Sequence, residues 1–447
     1  MNGADAGGKL PGKRLVVCLD GTWNTPDEAG GPTNVVKLQR AVRTRGDDGV
    51  PQVTFYDKGV GTGNWIDKIK GGVSGYGLDE NVLDGYRFLA NNYEGAEGGR
   101  AADEIYLFGF SRGAFTARSL GGLIGRFGLL APGDLNLLKE LWALYHQRLQ
   151  RQDASPALRK AMDNGYEQAE IACVGVWDTV GALGIPLHAL SWARQRNTRD
   201  FGFHDTELGP HVRCALHAVA IDEGRGPFEP TLWSEPVAPP AAPPAEPPAA
   251  QTVEQVWFPG VHSNVGGSYP DAGLADGALR WMMERVARCT RLRFDPGYVD
   301  ETVRPNAQGT LYESSTGAYA IYRTVPLARL IAGRDCGGLG LQRKLNLVLE
   351  PPAGKRFIAE KLHESALERF GRLTPYQTGK SPKPTVYRPR NLEAALELAA
   401  AGTLPVVDAQ GEALPLAEVR RRVAEARARA AAAPPPAPPP ERENLNG

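Results

Sequence analysis

Glu104-Ile105-Tyr106-Leu107-Phe108-Gly109-Phe110-Ser111-Arg112-Gly113-Ala114-Phe115 decides the fold. It reads as a buried strand, a sharp turn with Ser111 at its tip, and the start of a helix. The apolar run before Ser111 is rich in aromatic and β-branched residues, which suits the interior of a parallel sheet. Gly109 and Gly113 flank Ser111 in the G-x-S-x-G spacing of a nucleophile elbow, and the strand before and helix after meet its context requirement. Arg112 to Arg126 contains no proline, and Gly113, Ala114, Ala117 and Gly121 allow that helix to pack closely on a sheet. The head of such a helix offers N–H groups and a favourable dipole to an oxyanion, so the Arg112 N–H is a candidate donor. The competing reading is a serine in a Gly-flanked turn with no chemistry. The two are separated by whether an acid and a base follow.

Upstream, Arg14 to Leu19 is a short buried strand that ends in Asp20-Gly21-Thr22-Trp23-Asn24. A polar Gly turn at the carboxyl end of a strand is where α/β sheets place binding groups. The backbone near Gly21 and Thr22 is therefore a candidate second oxyanion donor, against an ordinary Asx turn. Thr33-Asn34 caps a helix from about Val35 to Arg43, and Gln52 to Asp57 is the next strand. Gly59 to Gly77 is Gly-rich, but it lacks the Lys-Ser/Thr of a phosphate loop and the spacing of a dinucleotide fingerprint, which excludes nucleotide binding there. Leu78 to Tyr93 carries a helical stripe leading into the Ser111 strand. Strand and helix alternate, as in a mostly parallel α/β sheet with helices on both faces.

Downstream, Leu135 to Leu149 and Pro156 to Met162 form an inserted helical segment before the strand Ile171 to Trp177, which ends in Asp178-Thr179-Val180-Gly181. An Asp directly after a buried parallel strand shares a rim with Ser111, so Asp178 is a candidate triad acid, against a turn or cap role. Val212 to Ile221 is another strand and ends in Asp222. That residue rivals Asp178, because the acid of α/β-hydrolases often follows the second strand after the nucleophile. Glu235 to Ala250 is nearly all Pro and Ala and reads as an extended loop inserted in the catalytic domain. Glu254 to Phe258 is a last strand, followed by a loop with His262, Gly266 and Gly267. His262 alone has the context of a general base. His217 reads as a core residue, and His146, His188, His204, His211 and His363 read as surface positions. Ser111, Asp178 and His262 follow the chain order of α/β-hydrolases. Leu274 to Ala287 is a closing helix with Asp276 near its start.

The 447 residues contain 51 Lys+Arg and 51 Asp+Glu, a balance that gives no reason to expect nucleic acid as a partner. Five cysteines with no C-x-x-C pair read as free thiols rather than disulfides or a zinc site. The polar Met1 to Gly12 lacks the apolar core of a signal peptide, and no apolar run is long enough for a transmembrane helix. A chain made in the cytoplasm is expected. The division expected is a disordered 1–12, a catalytic domain at 13–290, a helical extension at 291–432 and a disordered tail at 433–447. Within the extension, Thr324 to Ala332, Ala359 to Phe370, Asn391 to Ala401 and Leu416 to Ala432 read as helices, the last an Arg-studded solvated surface.

Five motifs in order resemble a known family: Leu19-Asp-Gly-Thr-Trp-Asn24, Thr33-Asn-Val35, Gly109-Phe-Ser-Arg-Gly-Ala114, Val176-Trp-Asp-Thr-Val180, and Trp257-Phe-Pro-Gly-Val-His-Ser263 with Val265-Gly-Gly267. Together they are similar to the phospholipase-like catalytic domain of type VI secretion lipase effectors of the G-x-S-x-G class, over about Arg14 to Arg288. The resemblance implies an α/β-hydrolase fold, Ser111 as nucleophile, Asp178 rather than Asp222 as acid, and His262 as base. It implies hydrolysis of acyl esters, most directly of phospholipids, without cofactor or metal. The implied partners are a phospholipid substrate met at a membrane surface, a secretion spike and an immunity protein, with export by type VI secretion. The helical insertion after the elbow has the position of a cap over an acyl-chain pocket. The chain departs from the expected family pattern at Asn264, where Asp is more usual, and an Asn can still hold that turn. Two other readings share the fold: a hydrolase of soluble esters or thioesters, and a non-catalytic binding protein.

Overall fold

The computed structural model describes residues 12–21, 30–59, 76–97, 101–181, 208–237, 251–315, 325–379 and 381–433. Its centre is an eight-stranded sheet: β1 Arg14–Leu19, β2 Gln52–Asp57, β3 Glu104–Phe110, β4 Ile171–Trp177, β5 Cys214–Ala220, β6 Thr252–Phe258, β7 Glu360–His363 and β8 Val406–Val407. The strand order is β8-β7-β6-β5-β4-β3-β1-β2, and every neighbouring pair is parallel. Every residue of β4 and β5 is buried. Their continuous apolar runs are what a parallel sheet covered on both faces requires.

Alternate residues of β1 and β3 feed two cores. Leu15, Val17, Ile105 and Leu107 pack with α2 Tyr76–Asn92, α3 Arg112–Phe127 and the inserted helices α4 Leu138–His146 and α5 Pro156–Asn164. Val16, Cys18, Tyr106 and Phe108 pack on the other face with α1 Asn34–Ala41 and α6 Gly273–Cys289. A buried Lys37–Asp276 ion pair of 2.6 Å joins those two helices.

Register puts the strand ends level. Leu19 pairs with Gly109, and Gly109 with Val176, so the residues that follow β1, β3 and β4 emerge on one rim. Between β1 and β3 the chain changes direction across the sheet, since β2 lies outside β1. The crevice outside such a switch point is where open α/β sheets bind ligands.

Residues 291–432 differ from the helical extension expected. They add β7 and β8 to the main sheet, through the pairs Leu362–Trp257 and Leu362–Val406. Residues 359–370 are β7 followed by a short helix, α7 Glu364–Arg369, because docking beside β6 outweighs the helical pattern. Thr324 lies outside the described residues. Residues 325–332 are a bend around Pro326, a bridge from Ala328 to Val348, and a 3-10 turn at Ile331–Gly333, since proline opposes a continuous helix. The helices α8 Arg390–Ala401 and α9 Leu416–Ala432 form as expected, but α9 buries Val419, Val423, Ala426 and Ala430, while Arg421 and Arg422 pair with Glu418. The Pro/Ala stretch begins as a strand, Ser234–Pro236, paired with Lys355–Phe357, and its residues 238–250 lie outside the described residues. So do residues 1–11 and 434–447, expected to be disordered, and 60–75 of the Gly-rich segment. All five cysteines are free, with Cys18, Cys173 and Cys214 buried. No described helix is long and apolar enough to cross a membrane.

Candidate active site

The turn from β3 into α3 forces its own sequence. Ser111 stands at the N-cap of α3 with φ 59° and ψ −122°, a conformation that L residues adopt only under constraint. A Cβ at Gly109 would lie 2.4 Å from the Gly113 carbonyl oxygen, and one at Gly113 would lie 2.1 Å from Leu19 O. Both flanking glycines are therefore steric requirements of the turn. The Ser111 N–H donates to Trp177 O (3.1 Å), which holds the elbow against the end of β4.

Asp178, the next residue after β4, is fully buried and also has positive φ, 36°. Its Oδ2 accepts a 2.7 Å hydrogen bond from His262 Nδ1, and its Oδ1 accepts from the Ala220 N–H at 3.0 Å. His262 opens a helical turn just beyond β6, and its ring lies between Phe110 (centroids 4.6 Å apart) and Phe228 (4.9 Å, edge-on). Phe110 is the neighbour of Ser111, so the imidazole is packed against the elbow itself. With Nδ1 committed to Asp178, His262 Nε2 is buried and has no hydrogen-bond partner among the described residues. In the tautomer with its proton on Nδ1, the Nε2 atom is an acceptor, and catalytic contacts at such an atom often close only with substrate present. Burial pushes His262 below the ordinary imidazole value, against the pull of Asp178. Burial alone would raise Asp178, but Arg329 and His262 hold it well below the usual carboxylate range.

Asp222, the rival acid, faces elsewhere. Its Oδ2 accepts from the Gly260 N–H (2.6 Å) and from the Tyr387 hydroxyl (2.8 Å), so it anchors the loop that carries His262. Asn264 holds the same loop: its Oδ1 accepts from the Tyr312 N–H (3.3 Å) and its Nδ2 donates to Thr310 O (3.0 Å). That second bond needs an amide, because a carboxylate has nothing to donate to a carbonyl.

The expected oxyanion donors fare differently. Arg112 is the first residue of α3. The Gly21 N–H, in contrast, donates to Asp20 Oδ1 at 2.7 Å and is not available as the second donor in this arrangement. Asp20 is itself buried and takes bonds from Thr33 Oγ1 and the Tyr56 hydroxyl, which fix the carboxylate that holds the Gly21 N–H. Thr22, the other candidate, lies outside the described residues. Among the described residues no group of three or more His, Cys, Asp or Glu is placed to hold a metal ion.

Three residues at the site escaped the sequence reading. Glu223 is buried, accepts from the His262 N–H (3.2 Å), and is paired with Arg225 at 2.9 Å. Its signal was the acid pair Asp222-Glu223 after one strand. Arg329 is fully buried with Nη1 2.7 Å from Asp178 Oδ1. Its signal was a lone charge in the apolar run Val325 to Ile331, which needs a buried partner. Tyr387 carried no signal. Of the other histidines, His217 is a core residue whose Nε2 accepts from the Thr179 N–H (3.1 Å). His363, expected at the surface, is buried against Phe258 instead, because β7 docks on the sheet.

A parallel sheet with a serine elbow after β3, and an Asp and a His brought together beyond later strands, defines an α/β-hydrolase-like protein. The chain belongs to the family described as T6SS, phospholipase effector Tle1-like, catalytic domain, whose pattern matches residues 13–285. It is also similar to a Saccharomyces cerevisiae protein described as uncharacterized protein YEL023C, at 30% identity over 246 residues, which is 49% of this chain and 32% of the yeast one. A crystal structure of an uncharacterized protein from Pseudomonas aeruginosa is similar at 18% identity and a TM-score of 0.37, over 66% of this chain and 49% of that one. The Tle1 effector bound to the VgrG spike of the type VI secretion system is similar at 17% identity and a TM-score of 0.31, over 60% of this chain and 53% of that one.

Proposed function

We propose that this chain is a serine carboxylic-ester hydrolase acting on phospholipid acyl esters. The observation that carries the reading is the buried 2.7 Å contact between Asp178 and His262, with the ring packed on Phe110 beside the constrained Ser111. In this reading His262 Nε2 takes the Ser111 hydroxyl proton as Oγ attacks the ester carbonyl, and Asp178 orients the imidazole and stabilises the imidazolium. His262 returns the proton to the departing alcohol, which leaves an acyl-enzyme. Water, activated by the same imidazole, then releases the fatty acid. The Arg112 N–H at the head of α3 supports the oxyanion; one such donor is commonly worth about 3 kcal/mol. The choice of phospholipid, and of export with a secretion spike, is supported by the family to which residues 13–285 belong.

The test compares purified parent chain with Ser111→Ala on a short-chain chromogenic ester and on long-chain phospholipid vesicles. Ser111-dependent fatty-acid release from vesicles is the expected result. Turnover of the short ester alone would move the protein to soluble esters, and activity surviving in Ser111→Ala would overturn the nucleophile assignment.

A further inference from the structure

This inference rests on the hydrolase reading above. We propose that Arg329, which lies beyond the family's catalytic-domain match, is a positioning residue of the catalytic centre: it clamps Asp178 in the rotamer that meets His262 and balances its buried charge.

The geometry is specific. Arg329 Nη1 donates to Asp178 Oδ1 (2.7 Å) and to Ala220 O (2.8 Å), while Nη2 donates to Asp178 Oδ2 (3.1 Å) and to Phe228 O. Four acceptors thus meet the two Nη groups, and both carboxylate oxygens are held at once. A planar guanidinium fork matches a carboxylate in this bidentate way, and an ammonium cannot. Each carbonyl also has a place in the site. Ala220 ends β5 and donates its own N–H to Asp178, and Phe228 forms the edge-on wall of the His262 ring. The clamp is itself fixed, since Asn391 Nδ2 donates to Arg329 O (3.1 Å) and to Ile221 O (2.9 Å).

A fully buried carboxylate beside a neutral imidazole would be an uncompensated charge, and Arg329 supplies the compensation. The arrangement also sets the basicity of the pair. The charged groups facing His262 are Asp178, Glu223 and Arg225, with Arg329 behind Asp178. Removing the Arg329 cation leaves the Asp178–His262 pair to take up its shared proton at a higher pH. Two strongly coupled sites titrate as a unit, so the shift belongs to the pair.

The experiment uses the full chain with Arg329→Met and Arg329→Lys, ester hydrolysis from acid to alkaline pH, and nitrogen NMR titration of the labelled His262 ring. Expected for Arg329→Met is a fall in kcat of about 100-fold with KM changed less than about threefold. The acid limb of the rate profile and the ring titration should both move up by about one pH unit. Arg329→Lys should lie between, because it restores charge without the fork. An unchanged ring titration, or kcat within about twofold of the parent in Arg329→Met, overturns the proposal. If Arg329→Met does not fold, the kcat of Arg329→Lys decides: the ammonium keeps the charge but not the fork, so a kcat within about twofold of the parent overturns the proposal. A shifted titration in a protein that hydrolyses no ester supports the clamp while removing the hydrolase reading. Ser111-dependent hydrolysis with an unshifted titration does the reverse.

Discussion

Gly113→Ala tests the elbow directly. The added Cβ would sit 2.1 Å from Leu19 O and 2.6 Å from both Asp20 O and Leu19 C. These are backbone atoms of β1 and its following turn, so no side chain can swing aside. Ordinary van der Waals contact requires the head of α3 to retreat from β1 by about 1 Å, and Ser111 is the residue that joins α3 to β3. Overpacking of this kind costs about 1–3 kcal/mol, and the gain from replacing Gly by Ala in a helix returns at most about 1 kcal/mol. The expected net loss is about 3 kcal/mol at most, too little to unfold a protein of this size. Catalysis should suffer far more, because a displacement of about 1 Å at the nucleophile costs about 100-fold in rate. Gly121→Ala in the same helix is the control. Its Cβ would meet Ile171 Cδ1 and Leu107 Cδ1 at an ordinary 3.5 Å. Urea denaturation midpoints and kcat/KM on a chromogenic ester, measured for both variants, give the answer. If Gly113→Ala matches Gly121→Ala in activity, the elbow is not the constrained turn described here.

Asp178→Asn should lower kcat by about 10,000-fold, since an amide can hold the wrong imidazole tautomer. Asp222→Asn keeps an oxygen for the Gly260 N–H and the Tyr387 hydroxyl and should cost less than about tenfold, measured in the same ester assay. Because burial lowers His262, the acid limb of kcat/KM against pH should fall below the ordinary imidazole value of about 6.5. Burial pushes His217 and His363 down to about 3, so the folded chain keeps both neutral while the unfolded chain protonates them below about 6.5. Their contribution to stability is complete above that pH and is lost as the pH falls toward 3, at up to about 1.4 kcal/mol per pH unit for each. Urea midpoints between pH 7 and 5 should decline, and His363→Asn should flatten that decline. An unaltered slope would show that His363 is not the titrating group. Asn264→Asp should lose about 1–3 kcal/mol by setting a carboxylate against Thr310 O, read as a lowered urea midpoint near neutral pH.

The parts of this fold that were legible in the sequence are those where local pattern and global burial agree. β1, β3, β4, β5 and β6 are short apolar runs, each ending in a polar or Gly turn, and parallel burial on both faces allows little else. The Ser111 turn was legible because Gly109 and Gly113 answer to sterics within a few residues. Choosing between Asp178 and Asp222 was another matter, since both follow buried strands. Only the path of the loop at 259–262 brings His262 to one and Gly260 to the other, and that path is set by contacts distant in sequence. Residues 359–370 misled for a related reason. Glu360–Leu362 pairs with Gln255–Trp257, far away in the sequence, and that pairing overrides a local helical pattern.

The same distance explains why the site looked complete without residues 291–432. Motifs report what a short stretch does to itself, whereas a buried charge reports its partner only in space. Asp178 needs a cation, and none lies near it in the sequence; Arg329 arrives 151 positions later. Tyr387 reaches Asp222, Ser314 reaches Glu223, and the strand at Leu311–Tyr312 meets Asn264. Each contact ends on the loop that carries His262, or on Asp222 and Glu223, which accept from that loop's Gly260 and His262 N–H groups. The match to the family stops at 285, but the sheet does not: β7 covers the edge of β6, and Trp257 Nε1 donates to Glu360 at 2.9 Å. A chain cut at 285 would expose that edge and leave Asp178 buried without Arg329, two penalties that fall on the residues proposed for catalysis. The structural unit of this protein is therefore larger than its family pattern, and the later region helps to hold the candidate site together.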